Sequence, residues 1–119
     1  MSIRSASIEA KKSKHAQHKL GAVVVKGHRI LSTGYNAMRP SQLLGTSTLH
    51  AEAAAILKLL QTKRLQDLIG ADLYVSRFTR GGAIGLAKPC PACSSLIKSV
   101  GIRRVFFTTD SGATGEWRC

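Results

Sequence analysis

The apolar positions of this chain change period several times, and each change predicts an element of secondary structure. The run LGAVVV at residues 20–25 is short, apolar and β-branched, which predicts a buried strand. Gly27-His28 suits a tight hairpin turn with glycine first, so residues 29–35 are predicted to form the returning strand. Ahead of this hairpin, residues 2–18 are polar and basic with a narrow apolar stripe, which predicts a helix.

Two later segments carry apolar residues at helical spacing. The first predicts a helix from about His50 to Thr62, and its apolar positions are Leu49, Ala53, Ile56, Leu57 and Leu60. Its candidate N-caps are Thr46, Ser47 and Thr48. The second helix is predicted to begin at Pro91, because proline suits the first helical turn. Its apolar positions are Cys93, Leu96, Ile97 and Val100.

Short apolar runs predict the remaining strands. Residues 73–75 begin one strand and residues 105–107 form another, while a turn at 112–115 leads into a short strand containing Trp117. Strands that alternate with helices predict a layered α/β domain around one central sheet. From a length of 119 residues, we expect the whole of 1–119 to form a single domain.

Composition favours a globular protein of a reducing compartment. Apolar residues make up 44% of the chain, which is ordinary for a protein with a packed core. No apolar run approaches the roughly 20 residues needed to span a bilayer, and lysines interrupt the N-terminus before a secretory pattern forms. The three cysteines are an odd count, and two of them have a metal-like spacing. We therefore expect a cytoplasmic protein with no disulfide framework and no membrane partner.

The net charge narrows the class of partner. Eighteen lysines and arginines oppose six acids, which gives +12 at pH 7. A balance this basic favours a polyanionic partner such as nucleic acid, although a basic surface that serves only solubility is the alternative. Aromatic residues are few, with one Trp, two Tyr and three Phe. A long platform of stacked bases, as many single-strand binders use, is therefore poorly supported.

Three side chains have the character and spacing of metal ligands. Cys90 and Cys93 are three residues apart, so on a first helical turn they face the same side. The positive end of a helix favours the thiolate form that binds metal. His50 lies at the start of the other predicted helix, and an imidazole with two thiolates suits zinc better than magnesium or calcium. Three protein ligands leave a fourth position open for water, which is typical of catalytic zinc sites.

Glu52 is a candidate catalytic carboxylate. Residues i and i+2 of a helix point roughly 200° apart, so His50 and Glu52 are not expected to chelate one ion together. At a loose first turn, Glu52 could reach a metal-activated water and move its proton. The alternative is that Glu52 only favours the helix N-terminus, where a negative charge is stabilised by ~0.3–1 kcal/mol.

Cys119 is the residue most able to overturn this interpretation. It is either a stray terminal thiol or a fourth zinc ligand. Closure of the zinc shell would make the site structural and would leave Glu52 without a role. A catalytically silent, zinc-stabilised nucleic-acid-binding module is the alternative from another class of protein, and it differs from the enzyme in the role of Glu52.

The motifs His50-Ala51-Glu52-Ala53 and Pro89-Cys90-Pro91-Ala92-Cys93 carry a family resemblance. From residues 21–25 onward, the chain resembles the cytidine and deoxycytidylate deaminase superfamily, which also contains tRNA adenosine deaminases and the AID/APOBEC polynucleotide deaminases. The resemblance implies a three-layer α/β fold with a mixed central sheet of about five strands flanked by helices. It also implies one Zn²⁺ per chain, held between the two core helices. Relatives often assemble as dimers or tetramers, so the resemblance also favours a homo-oligomer.

The same resemblance suggests how a substrate is held. Gly34-Tyr35-Asn36 is similar to a family segment whose Asn contacts the substrate, so Asn36 is expected to bind it, and the backbone of Ala51 to help hold the base. Where tRNA adenosine deaminases usually carry Glu before the Pro-Cys pair, this chain has Lys88. This difference weakens an assignment to the adenosine deaminases.

Basic residues near the second motif are candidates for binding the anionic part of a substrate. Arg77, Arg80 and Lys88 could bind one nucleotide phosphate or follow the backbone of a strand. The expected activity is zinc-dependent hydrolytic deamination of cytosine to uracil, in a nucleotide or in single-stranded DNA or RNA. Deamination of adenosine in tRNA-like substrates is the enzymatic alternative.

Overall fold

One mixed β-sheet with helices on both of its faces forms the framework of the protein. The computed structural model describes residues 3–13, 18–27, 29–36, 50–62, 65–79 and 82–119. The helices of these ranges are α1 (Ile3–Ala10), α2 (Ala51–Gln61), α3 (Leu65–Leu68) and α4 (Pro91–Ser99). The strands are β1 (His18–Lys26), β2 (Arg29–Tyr35), β3 (Asp72–Thr79), β4 (Ile84–Gly85), β5 (Arg104–Thr108) and β6 (Thr114–Arg118).

The strand order places the ends of β3 and β5 side by side. The sheet runs β2-β1-β3-β5-β6, and the two-residue β4 pairs with the far end of β3. Strands β3 and β5 are parallel, whereas the other pairs are antiparallel. Parallel strands need a crossover connection, and α4 lies within the connection from β3 to β5. The carboxyl ends of both strands therefore lie at the same edge of the sheet.

The apolar run that predicted β1 is buried on both faces. Ala22 and Val24 belong to the larger core, which packs beneath α2 and α4. Val23 and Val25 point to the opposite face and pack with Ala6 of α1. Because side chains alternate between the faces of a strand, burial on both sides explains why the run is continuously apolar. The expected three-layer α/β fold is confirmed, with six strands rather than about five.

Helix α2 is seated tightly on β2. A Cβ atom at Gly34 would lie 2.5 Å from the Ala55 nitrogen and 2.7 Å from the Ala51 oxygen, so only glycine allows this approach. Ser32 Oγ donates to the Ala55 carbonyl at 2.7 Å, and Lys58 Nζ donates to the Thr33 carbonyl at 2.6 Å. These contacts fix the first turn of α2 relative to the sheet.

The N-terminal helix is shorter than the predicted span of 2–18. It ends at Ala10 and closes with backbone bonds from Lys12 to Glu9 and from Ser13 to Ala10. Strand β1 already begins at His18, which pairs with Thr79 of β3. Sheet pairing therefore takes residues that a weak helical stripe had assigned to the helix.

Other differences concern boundaries and short elements. The N-cap of α2 is His50, whereas the predicted caps at 46–48 lie outside the described residues. The hairpin turn is confirmed by Gly27, whose φ is 62°, and His28 is also outside the described part. The pattern missed α3 and β4, since elements of four and two residues are too short to show a period.

None of the helices in the described ranges has the length and apolar character needed to cross a bilayer. The assignment of residues 1–119 to a single domain stays a prediction.

An ion pair ties the beginnings of β3 and β5 together. Asp72 and Arg104 are register partners, and the guanidinium binds both carboxylate oxygens at 3.1 Å and 2.8 Å. Arg103 approaches the same carboxylate at 3.5 Å. Partial burial would by itself raise the pKa of Asp72, but the bonds from Arg104 and Arg103 outweigh it and lower that pKa.

We expect Asp72→Asn to lower the free energy of unfolding at pH 7 by about 0.5–1 kcal/mol, because solvent screens this partly exposed pair. Since the folded-state pKa of Asp72 is lowered, its stabilisation is complete above the ordinary value of 3.8 and is lost as pH falls through the folded-state value. Urea denaturation of both proteins should therefore show a gap that narrows below about pH 4. Glu116→Gln, which weakens a more exposed pair with Arg118, is the matched control. A gap that stays constant with pH would contradict this account.

Candidate active site

The N-terminal ends of two helices from distant parts of the chain, α2 and α4, lie close together. His50 is the N-cap of α2, and Cys90 is the N-cap of α4. Both have extended backbone angles, as N-cap residues usually do, so their side chains project from the ends of the helices. Cys93 lies one turn into α4 and is buried. The structure thus brings together the three side chains that the sequence singled out as candidate metal ligands.

The sequence around Cys90 explains the local geometry of α4. Pro91 occupies the first helical position, where the missing N–H costs no intrahelical bond. The Cys90 sulphur accepts the backbone N–H of Cys93 at 3.5 Å, and the Cys90 carbonyl accepts the N–H of Ser94 at 2.8 Å. The spacing of three residues therefore turns both sulphur atoms to one side of the helix start.

The three ligand atoms are close enough to share one metal ion. His50 Nδ1 lies 3.1 Å from Cys93 Sγ and 3.7 Å from Cys90 Sγ, and all three atoms lie within 4.8 Å of one another. One imidazole and two free thiols form a donor set that suits zinc. Burial raises the pKa of the Cys93 thiol, and the nearby Glu52 and Cys90 raise it further. A divalent cation at this point would reverse that shift by stabilising the thiolates.

Glu52 is a buried carboxyl beside this group. It lies on the first turn of α2 and is only 3% exposed. Burial is the largest influence and raises its pKa, although its own backbone hydrogen bond, His50 and a bond to Cys93 act in the opposite direction. Glu52 is not one of the three grouped ligands, as its position two residues after His50 predicted. A raised pKa means that this carboxyl takes up a proton more readily than an exposed glutamate does.

A cavity of about 330 Å³ opens onto the metal group and Glu52. This volume lies at the lower end of the range for small-ligand sites. The lining residues are Leu20, Asn36, His50, Ala51, Glu52, Arg77, Leu86, Ala87, Lys88 and Cys90. The cavity therefore brings together the predicted site residues that the structure describes, except Cys93, which is buried one turn into α4.

Asn36 is held in the cavity wall by reciprocal bonds with β1. Leu20 N–H donates to Asn36 Oδ1 at 2.9 Å, while Asn36 N–H donates to the Leu20 carbonyl at 3.1 Å. Ser13 Oγ donates to the Asn36 carbonyl at 3.0 Å. Because the side-chain oxygen accepts from Leu20, this bond sets the orientation of the amide in the cavity wall.

Two of the three predicted cations reach the cavity. Arg77 on β3 and Lys88, just before the second motif, both line it, whereas Arg80 lies outside the described residues. Arg77 Nη1 also donates to the Leu86 carbonyl at 3.2 Å. Positive charge at one part of the wall favours an anionic group on the ligand.

Sequence reasoning missed the apolar part of the wall. Leu20 had been assigned to the buried strand, and Leu86 and Ala87 belong to a segment read only as a loop. Their position next to the second metal motif is the one signal in the sequence that could have indicated them.

Cys119 does not complete the metal group. It is exposed at the chain end, and its backbone N–H donates to the Arg103 carbonyl at 3.1 Å. The metal-type ligands that converge in the described part of the chain are those of His50, Cys90 and Cys93. The alternative of a closed, four-ligand structural site is therefore wrong for this arrangement.

Comparison with known proteins agrees with this geometry. Residues 2–109 match the family described as cytidine and deoxycytidylate deaminase zinc-binding region. A deoxycytidylate deaminase of Mycobacterium phage D29 is 37% identical, and the alignment covers 89% of this chain and 90% of that protein.

Two solved structures share the fold. The dCMP deaminase of cyanophage S-TIM5 is 26% identical with a TM-score of 0.66, covering 90% of this chain and 79% of that one. Cytidine deaminase from Burkholderia pseudomallei is 22% identical with a TM-score of 0.73, covering 98% and 88% of the two chains.

We expect Cys90→Ser and Cys93→Ser to lower the zinc content of the purified protein from one ion per chain to a small fraction of that. A serine hydroxyl is a much poorer zinc ligand than a thiolate, because it is not deprotonated at neutral pH. Elemental analysis by mass spectrometry measures the content directly. Cys119→Ser is the matched control and should retain the ion. Equal loss in all three variants would show that the metal is not held by this group.

Proposed function

The chain belongs to the cytidine and deoxycytidylate deaminase family, and on that premise we propose that it converts deoxycytidylate to deoxyuridylate. Zinc-dependent deamination of cytosine nucleotides is the activity of the family, and the proposal concerns the choice of a monomeric nucleotide. The observation that carries it is the cavity of about 330 Å³, in which Arg77 and Lys88 lie with His50, Cys90 and Glu52. A cavity of this volume suits a ligand of small-molecule size.

His50, Cys90 and Cys93 would hold the zinc ion. When bound, zinc supplies the Lewis acid that lowers the pKa of water to about 7 and makes it a nucleophile at neutral pH. The two thiols and the imidazole leave room for water, because Cys119 lies outside the group.

Glu52 moves the protons of the reaction. Its carboxylate takes a proton from the attacking water and passes it to the ring nitrogen N3, while the water oxygen bonds to C4. Glu52 then takes the proton of the new C4 hydroxyl and gives it to the amino group on C4. The C4–N bond breaks as the C4 carbonyl forms, and ammonia leaves. The sum is cytosine plus water giving uracil plus ammonia. The position of Glu52 supports this role, since its buried carboxyl lines the cavity beside His50 and Cys90.

Asn36 and Ala51 would orient the nucleotide. The bond from the Leu20 N–H holds the Asn36 amide in the cavity wall, which places it to contact the sugar or base. Ala51 is the first residue of α2, and the first N–H groups of a helix have no intrahelical acceptor. An N–H group at this place in the cavity wall is suited to the carbonyl oxygen of cytosine.

The large positive charge favours a second candidate substrate, single-stranded DNA or RNA. A net charge of +12 exceeds what one phosphate requires. Many of the basic residues are also distant in the sequence from the residues that line the cavity. Binding of a polymer would release many counterions, so it should weaken steeply with salt. A single nucleotide phosphate would respond much less.

A cytoplasmic location belongs to the same proposal, because free thiols at Cys90, Cys93 and Cys119 suit a reducing compartment. Self-association as a homo-oligomer stays a prediction.

We expect mass spectrometry of the products to show conversion of dCMP to dUMP. Single-stranded DNA, RNA and adenosine in a tRNA stem-loop should be deaminated more slowly or not at all. Glu52→Gln should lower the rate of ammonia release about 10²–10⁴-fold, the range of general acid–base catalysis, while zinc content is unchanged. Steeply salt-dependent turnover of a polymer, with dCMP untouched, would replace the nucleotide proposal by the polymer one. Full activity of Glu52→Gln would contradict the proton-transfer role.

We expect Lys88→Ala to raise KM for dCMP about tenfold and to leave KM for deoxycytidine nearly unchanged, because only dCMP carries the phosphate. Steady-state kinetics with both substrates measures the difference. Lys98→Ala on α4, where the lysine lies over the Trp117 ring, removes the same charge outside the cavity lining and serves as the control. An equal rise of KM for both substrates would show that Lys88 maintains the shape of the site and does not contact the phosphate.

A further inference from the structure

A short segment between β4 and the second metal motif forms one wall of the cavity. We name residues 84–88 the strap, and three of them, Leu86, Ala87 and Lys88, line the cavity. The strap crosses the carboxyl ends of β3 and β5 and leads directly to Pro89 and Cys90. Its placement therefore determines where Lys88 lies relative to Arg77 on β3.

Thr108, the last residue of β5, joins the strap to β3 through one side chain. It is 1% exposed, and its hydroxyl donates to the Gly85 carbonyl at 2.7 Å. The same oxygen accepts the backbone N–H of Arg77 at 3.2 Å. The Thr108 carbonyl accepts the N–H of Ala87 at 2.9 Å. One buried residue thus spaces the strap from the strand that carries Arg77.

Two further contacts hold the strap from outside. Arg77 Nη1 donates to the Leu86 carbonyl at 3.2 Å, and Asp110 Oδ1 accepts the Leu86 N–H at 3.0 Å. Gly85 permits the close approach, since a Cβ there would lie 2.9 Å from Thr79 Cγ2. Asp110 follows Thr108 by two residues, so the end of β5 binds the strap on both its buried and its exposed side.

We propose that Thr108 is a positioning residue for the nucleotide phosphate, and that its hydroxyl sets the separation between Arg77 and Lys88. This inference rests on the proposed function, in which these two cations contact the phosphate of dCMP. Thr108 is not a lining residue of the cavity, so it acts through the strap and through the Arg77 backbone. A rigid pair of cations loses less freedom on binding than two mobile ones, which favours affinity for an anion of matching size.

The test compares Thr108→Val, which keeps the shape but removes the hydroxyl, with Thr108→Ser, which keeps the hydroxyl. Steady-state kinetics on the zinc-loaded protein uses dCMP and deoxycytidine. We expect Thr108→Val to raise KM for dCMP about tenfold, with kcat changed less than about twofold and KM for deoxycytidine unchanged, while Thr108→Ser stays near wild type. Competition by deoxyribose 5-phosphate supplies the same comparison where deoxycytidine is turned over slowly.

The matched pair Asp110→Ala and Asp110→Asn tests the strap without touching a buried residue. Asparagine retains the Oδ1 acceptor for Leu86, so only the alanine variant should lose affinity for dCMP selectively. This pair decides the matter if Thr108→Val fails to fold.

Three results would overturn the inference. The first is an equal rise of KM for dCMP and deoxycytidine, and the second is a Thr108→Ser variant as impaired as Thr108→Val. The third is an unchanged KM for dCMP in both Thr108→Val and Asp110→Ala. Absence of dCMP turnover in the wild-type protein would instead refute the proposed function, so the two failures are distinguishable.

Discussion

The convergence of His50 Nδ1 with the sulphur atoms of Cys90 and Cys93 within 4.8 Å is the constraint on which the site depends. It places a buried Glu52 carboxyl and a buried Cys93 thiol next to each other, where burial opposes the charged form of both. A cation is the natural counterweight to that arrangement, since it stabilises thiolates that are otherwise costly to bury. A cation bound here would thereby be linked to the protonation of Glu52, the carboxyl proposed to move protons.

The sheet positions α2 and α4 so that their first residues lie close together. Gly34 lets the first turn of α2 press against β2, and Ser32 bonds to the Ala55 carbonyl. The crossover from β3 to the parallel β5 carries α4 to the same side. Each approach depends on a local detail, a missing Cβ in one case and a proline at the first helical position in the other. The chemistry is therefore held by regular elements, which position side chains more precisely than loops do.

The residues proposed to select the substrate lie on the other wall of the cavity. The strap at residues 84–88 is anchored by Thr108 and Asp110 at the end of β5, the edge where the parallel strands finish. Positive charge on Arg77 and Lys88 reaches the cavity, whereas Arg103 and Arg104 are directed to Asp72 at the opposite end of the strands. Of these four cations, two therefore bind a carboxylate of the framework and two line the cavity.

Sequence alone determined the elements with a clear period and the chemistry of the donor set. The run at residues 20–25, the spacing from Cys90 to Cys93 and the offset of Glu52 from His50 are local properties, so they could be read without a fold. The end of α1, the strand β4 and the lining by Leu86 and Ala87 were decided by pairing between distant residues, which leaves no local pattern. The same holds for Cys119, whose sequence position allowed a fourth ligand. Only the tertiary structure places it apart from the metal group, because proximity in space is set by how the sheet is paired.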